Sequence, residues 1–126
     1  MSKKIILTTD APAPIGPYSQ AVKKGNMLFV SGQIAINPDS GELIVGNITA
    51  ETQMVMQNLK AVLAAAEMDF SHIVKTTIFI KNMDDFSAIN AVYGSFFTAD
   101  FPARETVEVA RLPKDVNVEI SCVAVM

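Results

Sequence analysis

Ile73 to Lys81 (IVKTTIFIK) constrains the fold more than any other stretch, because it is apolar on both faces of a strand. Val74, Thr76, Ile78 and Ile80 fall on one side, and Ile73, Lys75, Thr77, Phe79 and Lys81 on the other. Such a strand is central, covered by helices on one face and by something else on the other. His72, just before it, reads as a loop residue. A helix is expected on each side of it in sequence. Thr49 caps the first, with Glu51 in its first turn favourably placed for the macrodipole. Val55, Leu59, Val62, Leu63 and Ala66 then recur at three- and four-residue spacing, so one face is core and the helix ends near Glu67 to Asp69. Asp84 or Asp85 starts the second helix, whose stripe is Phe86, Ile89, Tyr93, Phe96 and Phe97. Asn90 falls on that stripe, and a buried amide there must bond nearby backbone or touch a ligand.

The first part of the chain reads as extended structure. Lys4 to Thr8 is a short edge strand. Pro12, Pro14 and Pro17 keep DAPAPIGPYSQA out of helices and central ladders. It is expected to be an ordered loop lying over the fold, with Tyr18 anchored by packing. Ala21–Lys24 and Met27–Ile36 form a hairpin around Gly25-Asn26. Gly32 interrupts the second strand, which implies a bulge or a close backbone approach. Ser31 beside it either presents its hydroxyl or N–H to an anion or marks a bend in a curved sheet. Asn37 to Gly41 is a turn, followed by an extended piece from Glu42 to Val45.

Phe101 to Val125 reads as two strands joined by a Leu-Pro-Lys-Asp turn, with Pro113 fixing φ and Asp115 bonding its own backbone. Val116, Val118, Ile120, Cys122 and Ala124 share one face of the last strand, opposite Asn117, Glu119, Ser121, Val123 and Val125. Glu119 is thus a mid-strand carboxylate among residues with a buried pattern, and Arg104 opens the strand expected to pair with it. The two are either an exposed ion pair, worth ~0–1 kcal/mol, or the charged groups of a small-molecule site.

The order β-hairpin, α, β, α, β-hairpin predicts one domain over residues 1–126, an α+β fold of a mixed sheet with two helices on one face. The other face carries Ile73, Thr77, Phe79, Val123 and Val125. It is too apolar for a monomer to expose, so copies of the chain are expected to cover it. With 126 residues, 50% hydrophobic and 18% charged, the chain has enough apolar sequence for one core. A net charge of −3 offers no basic footprint for nucleic acid or an anionic membrane. Ile5-Ile6-Leu7 is too short for a signal-peptide core, and no apolar run spans a bilayer. Cys122 is the only cysteine and His72 the only histidine, so no disulfide or His/Cys-rich zinc site is expected. These readings describe a cytoplasmic protein without cofactor, metal, nucleic acid or membrane partner.

Four segments, APAPIGPYSQA at 11–21, SGQIAINPDSGE at 31–42, IVKTTIFIKNMDDF at 73–86 and FPARETVEVARLPKDVNVEI at 101–120, together resemble the RidA (YjgF-like) family of reactive imine deaminases. The resemblance covers nearly the whole chain. It implies a chorismate-mutase-like fold, a homotrimer with clefts between subunits, and hydrolysis of 2-imino acids to 2-oxo acids and ammonia. The substrates implied are 2-iminopropionate and 2-iminobutyrate, formed from enamines such as 2-aminoacrylate; their removal protects pyridoxal-phosphate enzymes. By the same resemblance Arg104 holds the substrate carboxylate and Glu119 handles the attacking water. Tyr18 and Ser31 line the cleft, Asn90 supports it, and Thr106 adjoins the substrate. Many relatives have Cys where Thr106 stands, and Glu105 beside it would add negative charge at the mouth if it pointed there. Two other functions are weighed: a non-catalytic metabolite-binding regulator, and an endoribonuclease or translation inhibitor, which the acidic composition disfavours.

Overall fold

The structure, a computed structural model, describes residues 2–126. Six strands, β1 (Lys4–Ile6), β2 (Ala21–Lys24), β3 (Met27–Gln33), β4 (Ile73–Ile80), β5 (Ala103–Glu108) and β6 (Val118–Val125), accompany two helices, α1 (Ile48–Ala65) and α2 (Phe86–Ser95). They form one sheet in the order β1-β2-β3-β6-β4-β5. Only β4 and β5 run parallel; all other neighbours are antiparallel. A parallel pair requires a crossover, and α2 supplies it. In the same way α1 carries the chain from β3 to β4, which run alike on either side of β6. The mixed sheet with two helices is the α+β architecture expected.

The C-terminal stretch is not a hairpin. β5 pairs with β4 along the edge, from Lys75↔Ala103 to Ile80↔Glu108, while β6 inserts on the other side of β4. The predicted turn is present as a 3-10 turn at Pro113–Asp115, with the Asp115 N–H donating to Leu112 O at 2.9 Å. The Asp115 carboxylate accepts from Lys81 Nζ at 2.8 Å rather than from its own backbone, and this bond holds its pKa below the usual carboxylate value. Turn residues mark where the chain reverses, not which strand it returns to.

The helix-facing side of the sheet forms the core. Ile78, Ile80, Val118, Ile120 and Ala124 are fully buried against Val55, Leu59, Val62 and Leu63 of α1 and Ile89 of α2. Each such Val, Leu or Ile side chain contributes about 1.5–3 kcal/mol by leaving water. Ile73 belongs to this core, not to the open face. A register shift between Ile73 and Lys75 turns Ile73 inward and leaves Val74 48% exposed. On the open face Phe29 pairs with Val123 and Val22, Met27 with Val125, and Phe29 remains 46% exposed in the protomer. No helix among the described residues is long and apolar enough to cross a membrane.

Asn47, not Thr49, caps α1: its extended backbone lets Oδ1 accept from the Ala50 N–H at 3.1 Å. Glu51 does more than face the helix dipole. It is fully buried, with Oε2 accepting from the Asn117 N–H and Oε1 from Asn117 Nδ2, both at 2.8 Å. This clamp ties the start of α1 to the entry of β6. Glu51→Ala leaves both Asn117 donors unpaired and is expected to cost about 2–4 kcal/mol. Glu51→Gln, which keeps one acceptor, should cost about half as much. Urea unfolding at a fixed protein concentration measures both.

Candidate functional site

The charged residues singled out from the sequence lie on opposite faces of the sheet. Arg104 pairs in register with Thr76, whose side chain points to the helices, whereas Glu119 pairs with Phe79 on the open face. The strand β4 runs between them, so they form no ion pair. Their separation follows directly from β6 entering beside β4 instead of beside β5.

Glu119 belongs to a cavity of about 360 Å³ lined by Pro12, Ile15, Tyr18, Ser31, Gly32 and Pro113, among others. Gly32 is where β3 loses register against β6, between Val30 and Gln33. The glycine allows both alternatives read from the sequence at once, a bulge and a close approach. A Cβ on Gly32 would stand 2.8 Å from Glu119 Cδ, so the carboxylate lies directly over the bulge. Among the described residues no donor reaches that carboxylate, and burial pushes its pKa above the usual glutamate value.

Ser31 is committed within the protomer. Its hydroxyl donates to Ser19 O at 2.6 Å and its N–H to Gln20 O at 2.9 Å, leaving the hydroxyl lone pairs for an incoming donor. Tyr18 is half exposed beside it. Its phenol oxygen accepts from the Ile15 N–H at 3.3 Å and its own N–H donates to Gly16 O at 2.8 Å. The proline-rich loop is thus ordered, as expected, but its main fixture is a residue the sequence reading passed over. Gln20 is buried, accepts from the Thr8 N–H at 2.7 Å, and donates to Thr8 O and Pro12 O at 3.0 and 2.9 Å. A glutamine at the mouth of a strand carries no sequence signal for this; only the path of the loop around it does.

Arg104 belongs to a second cavity, of about 330 Å³, with Asn90, Tyr93, Gly94, Phe101 and Pro102. Its guanidinium lies 5.1 Å from the Tyr93 ring centre and 5.6 Å from that of Phe86. Nη1 donates to Asn90 Oδ1 at 2.6 Å. Asn90 is exposed, not buried on the stripe, and within the chain its amide oxygen meets a side chain rather than nearby backbone. Tyr93 is buried with its hydroxyl 2.7 Å from Thr76 Oγ1, and burial pushes its phenol pKa up against smaller opposing effects of that bond and of Arg104. Thr106 follows on the same face, with a buried hydroxyl that has no partner among the described residues. Glu105 points to the opposite face and pairs with Lys75 at 3.1 Å, so it does not crowd Arg104. The buried Cys122 thiol is pushed up to about 12 by burial, which keeps it protonated and inert.

Chemically, the chain offers two unlike cavities. One presents a guanidinium whose planar fork suits a carboxylate. The other presents a desolvated carboxylate suited to accept a proton.

The family model described as Endoribonuclease L-PSP matches residues 8–126. The 2-iminobutanoate/2-iminopropanoate deaminase of Escherichia coli is 50% identical over 125 residues, 97% of this chain and 97% of that protein. A RutC family protein of Pyrococcus horikoshii is 49% identical over 122 residues, again 97% of both. Among solved structures, the YjgF gene product of E. coli superposes with a TM-score of 0.93 at 50% identity, covering 97% of this chain and 98% of that one. E. coli TdcF with bound serine gives a TM-score of 0.94 at 44% identity, with 98% of each chain covered.

Gly32 is not among the glycines with positive φ, so only the space beneath Glu119 bars a side chain there. The obstructing atoms end a flexible side chain. Gly32→Ala is therefore expected to melt within about 5 °C of the parent, with a crystal structure showing the Glu119 carboxylate swung out of the cavity.

Proposed function

Since the chain belongs to the YjgF/RidA family that the Endoribonuclease L-PSP model describes, we propose that it is an enzyme that hydrolyses small reactive 2-imino acids, 2-iminopropionate and 2-iminobutyrate, to 2-oxo acids and ammonia. The observation that carries the reading is the pair of complementary charges, neither matched by an opposite charge, on opposite faces of one sheet, Arg104 and Glu119, among the described residues. Stacked copies of the chain bring the Arg104 face of one protomer to the Glu119 face of another. The assembly is a homotrimer whose sites are the clefts between subunits, and its contacts cover the apolar open face.

In such a cleft Arg104 takes the substrate carboxylate in a bidentate pair, and Asn90 keeps the guanidinium turned toward it. Thr106 adjoins the bound carboxylate. Glu119 of a neighbouring copy orients a water at the imine carbon and removes its proton as the C–O bond forms. The imine enters as its protonated iminium ion, so when this proton passes to the nitrogen of the resulting carbinolamine the nitrogen becomes an ammonium leaving group. The C–N bond then breaks, the hydroxyl proton returns to Glu119, and ammonia leaves with the 2-oxo acid. Tyr18 and Ser31 close the wall around the reacting carbon. General acid–base help of this kind is worth about 10²–10⁴-fold, adequate for a bond that water itself cleaves. The role is cytoplasmic protection of pyridoxal-phosphate enzymes from their own enamine products. A net charge of −3 gives a ribonucleic acid backbone little to bind, so the imine reading is preferred to ribonuclease action.

Arg104→Ala and Glu119→Gln, tested in a dehydratase-coupled assay that traps the imine with semicarbazide, should each lose about 10²-fold or more in kcat/KM. Refolded together in equal amounts, they should recover roughly a quarter of parental activity, because one shared site in four then draws both intact residues from different copies. Mixed oligomers with no recovered activity would defeat the shared-site reading. Binding of 2-oxobutyrate without imine turnover by the parent would favour a metabolite sensor.

The acid limb of kcat/KM carries a second prediction. Burial raises the Glu119 pKa, so the base form is lost on acidification at a pH above the usual glutamate value. The limb should therefore lie above pH ~4.3 in the parent and be absent from the residual rate of Glu119→Gln.

A further inference from the structure

Phe86, Asn90 and Tyr93 stand at i, i+4 and i+7 on one face of α2, and all three touch the guanidinium of Arg104. Asn90 fixes one nitrogen by a hydrogen bond. The two rings can hold the plane only if they are themselves held. For Tyr93 the restraint is its hydroxyl, which shares a 2.7 Å hydrogen bond with Thr76 Oγ1 in a buried setting. Thr76 is also the residue that pairs with Arg104 across β4 and β5. The chain of contacts therefore closes on itself: strand backbone to Arg104, guanidinium to the Tyr93 ring, Tyr93 hydroxyl to Thr76, and Thr76 back to the strand pair.

We propose that Tyr93 and Thr76 are positioning residues: their buried hydrogen bond fixes the ring against which the Arg104 guanidinium is presented to a substrate carboxylate. Phenylalanine would fill the same core space as Tyr93, so burial alone does not call for the hydroxyl. A tyrosine hydroxyl buried against a threonine locks the ring in one rotamer and height relative to β5. Aromatic faces stabilise the cation without taking up its outer N–H groups, which stay free for the ligand. The inference rests on Arg104 being the carboxylate anchor.

The test uses the full-length oligomer and reads Arg104 directly. In the parent, the Arg104 Nε–H should give a resolved NMR signal with slow solvent exchange and restricted motion. Tyr93→Phe keeps the ring and removes the bond. It is expected to speed that exchange by about tenfold and to raise both the Kd for 2-oxobutyrate and the KM for the imine by roughly two- to tenfold, with kcat little changed. Thr76→Val removes the same bond from the other side and should give the same result, whereas Thr76→Ser keeps the hydroxyl and should behave as the parent. The double variant should be no worse than either single one. The proposal is overturned if Arg104 stays ordered when the bond is gone, or if Tyr93→Phe weakens 2-oxobutyrate by the same factor in an Arg104→Lys background. An Arg104 that loosens in a protein whose parent binds no 2-oxobutyrate would sustain the positioning role and defeat the reading of the site.

Discussion

The insertion of β6 between β3 and β4 is the constraint on which the remaining arrangement depends. It joins the N-terminal hairpin layer to the β4-α2-β5 unit, and the fully buried Val118, Ile120 and Ala124 place it in the middle of the core. It also determines where chemistry can occur. Because β6 borders β3, Glu119 comes to lie over Gly32, and the bulge at Val30–Gln33 makes room for it. Because β6 borders β4 rather than β5, a strand lies between Glu119 and Arg104, and the register, with Phe79 opposite Glu119 and Thr76 opposite Arg104, puts them on opposite faces. The Glu51–Asn117 clamp holds β6 at its entry, so a buried carboxylate on the first helix helps set the register of the strand that carries the other one.

Much of this was legible in the amino-acid sequence, and the limits have a common cause. Alternation along β6 and three- and four-residue spacing along α1 and α2 are local patterns, and they placed Ile120, Leu59 and Ile89 in the core. Strand order is not local. Nothing in Leu-Pro-Lys-Asp distinguishes a hairpin from a passage over a neighbouring strand, so the C-terminal pairing was misread. The slip at Ile73 has the same origin: a register shift exchanges faces, and no residue there announces it. At the site, Gly32 was visible as an irregularity because a glycine inside a strand pattern is unusual. Gln20 was not, because its role is defined by a loop that wraps around it.

The separation of Arg104 from Glu119 within the protomer has an energetic logic. Paired directly, a guanidinium and a carboxylate neutralise each other, and a ligand must then break their contact before it can bind either. Kept apart by a strand, both retain capacity. The carboxylate shows this in its raised pKa, which reflects burial with no compensating cation among the described residues. Thr106 fits the same picture. Its buried hydroxyl has no partner among the described residues, which is costly in a finished core, and it stands two residues from Arg104 on the same face.

Arg104 illustrates how a cation can be held firmly without being spent. A carboxylate partner would fix it more strongly than two rings and an amide oxygen, but it would occupy the fork that distinguishes arginine from lysine. The faces of Phe86 and Tyr93 attract the charge through their quadrupoles. Asn90 takes a single N–H. What remains open is an edge of a flat, poorly hydrated cation, and the ligand that gains most from that edge is a planar anion. Rigidity matters here because binding a carboxylate to a wandering side chain would first cost the entropy of ordering it. A strand on one side and a helix face on the other remove that cost in advance.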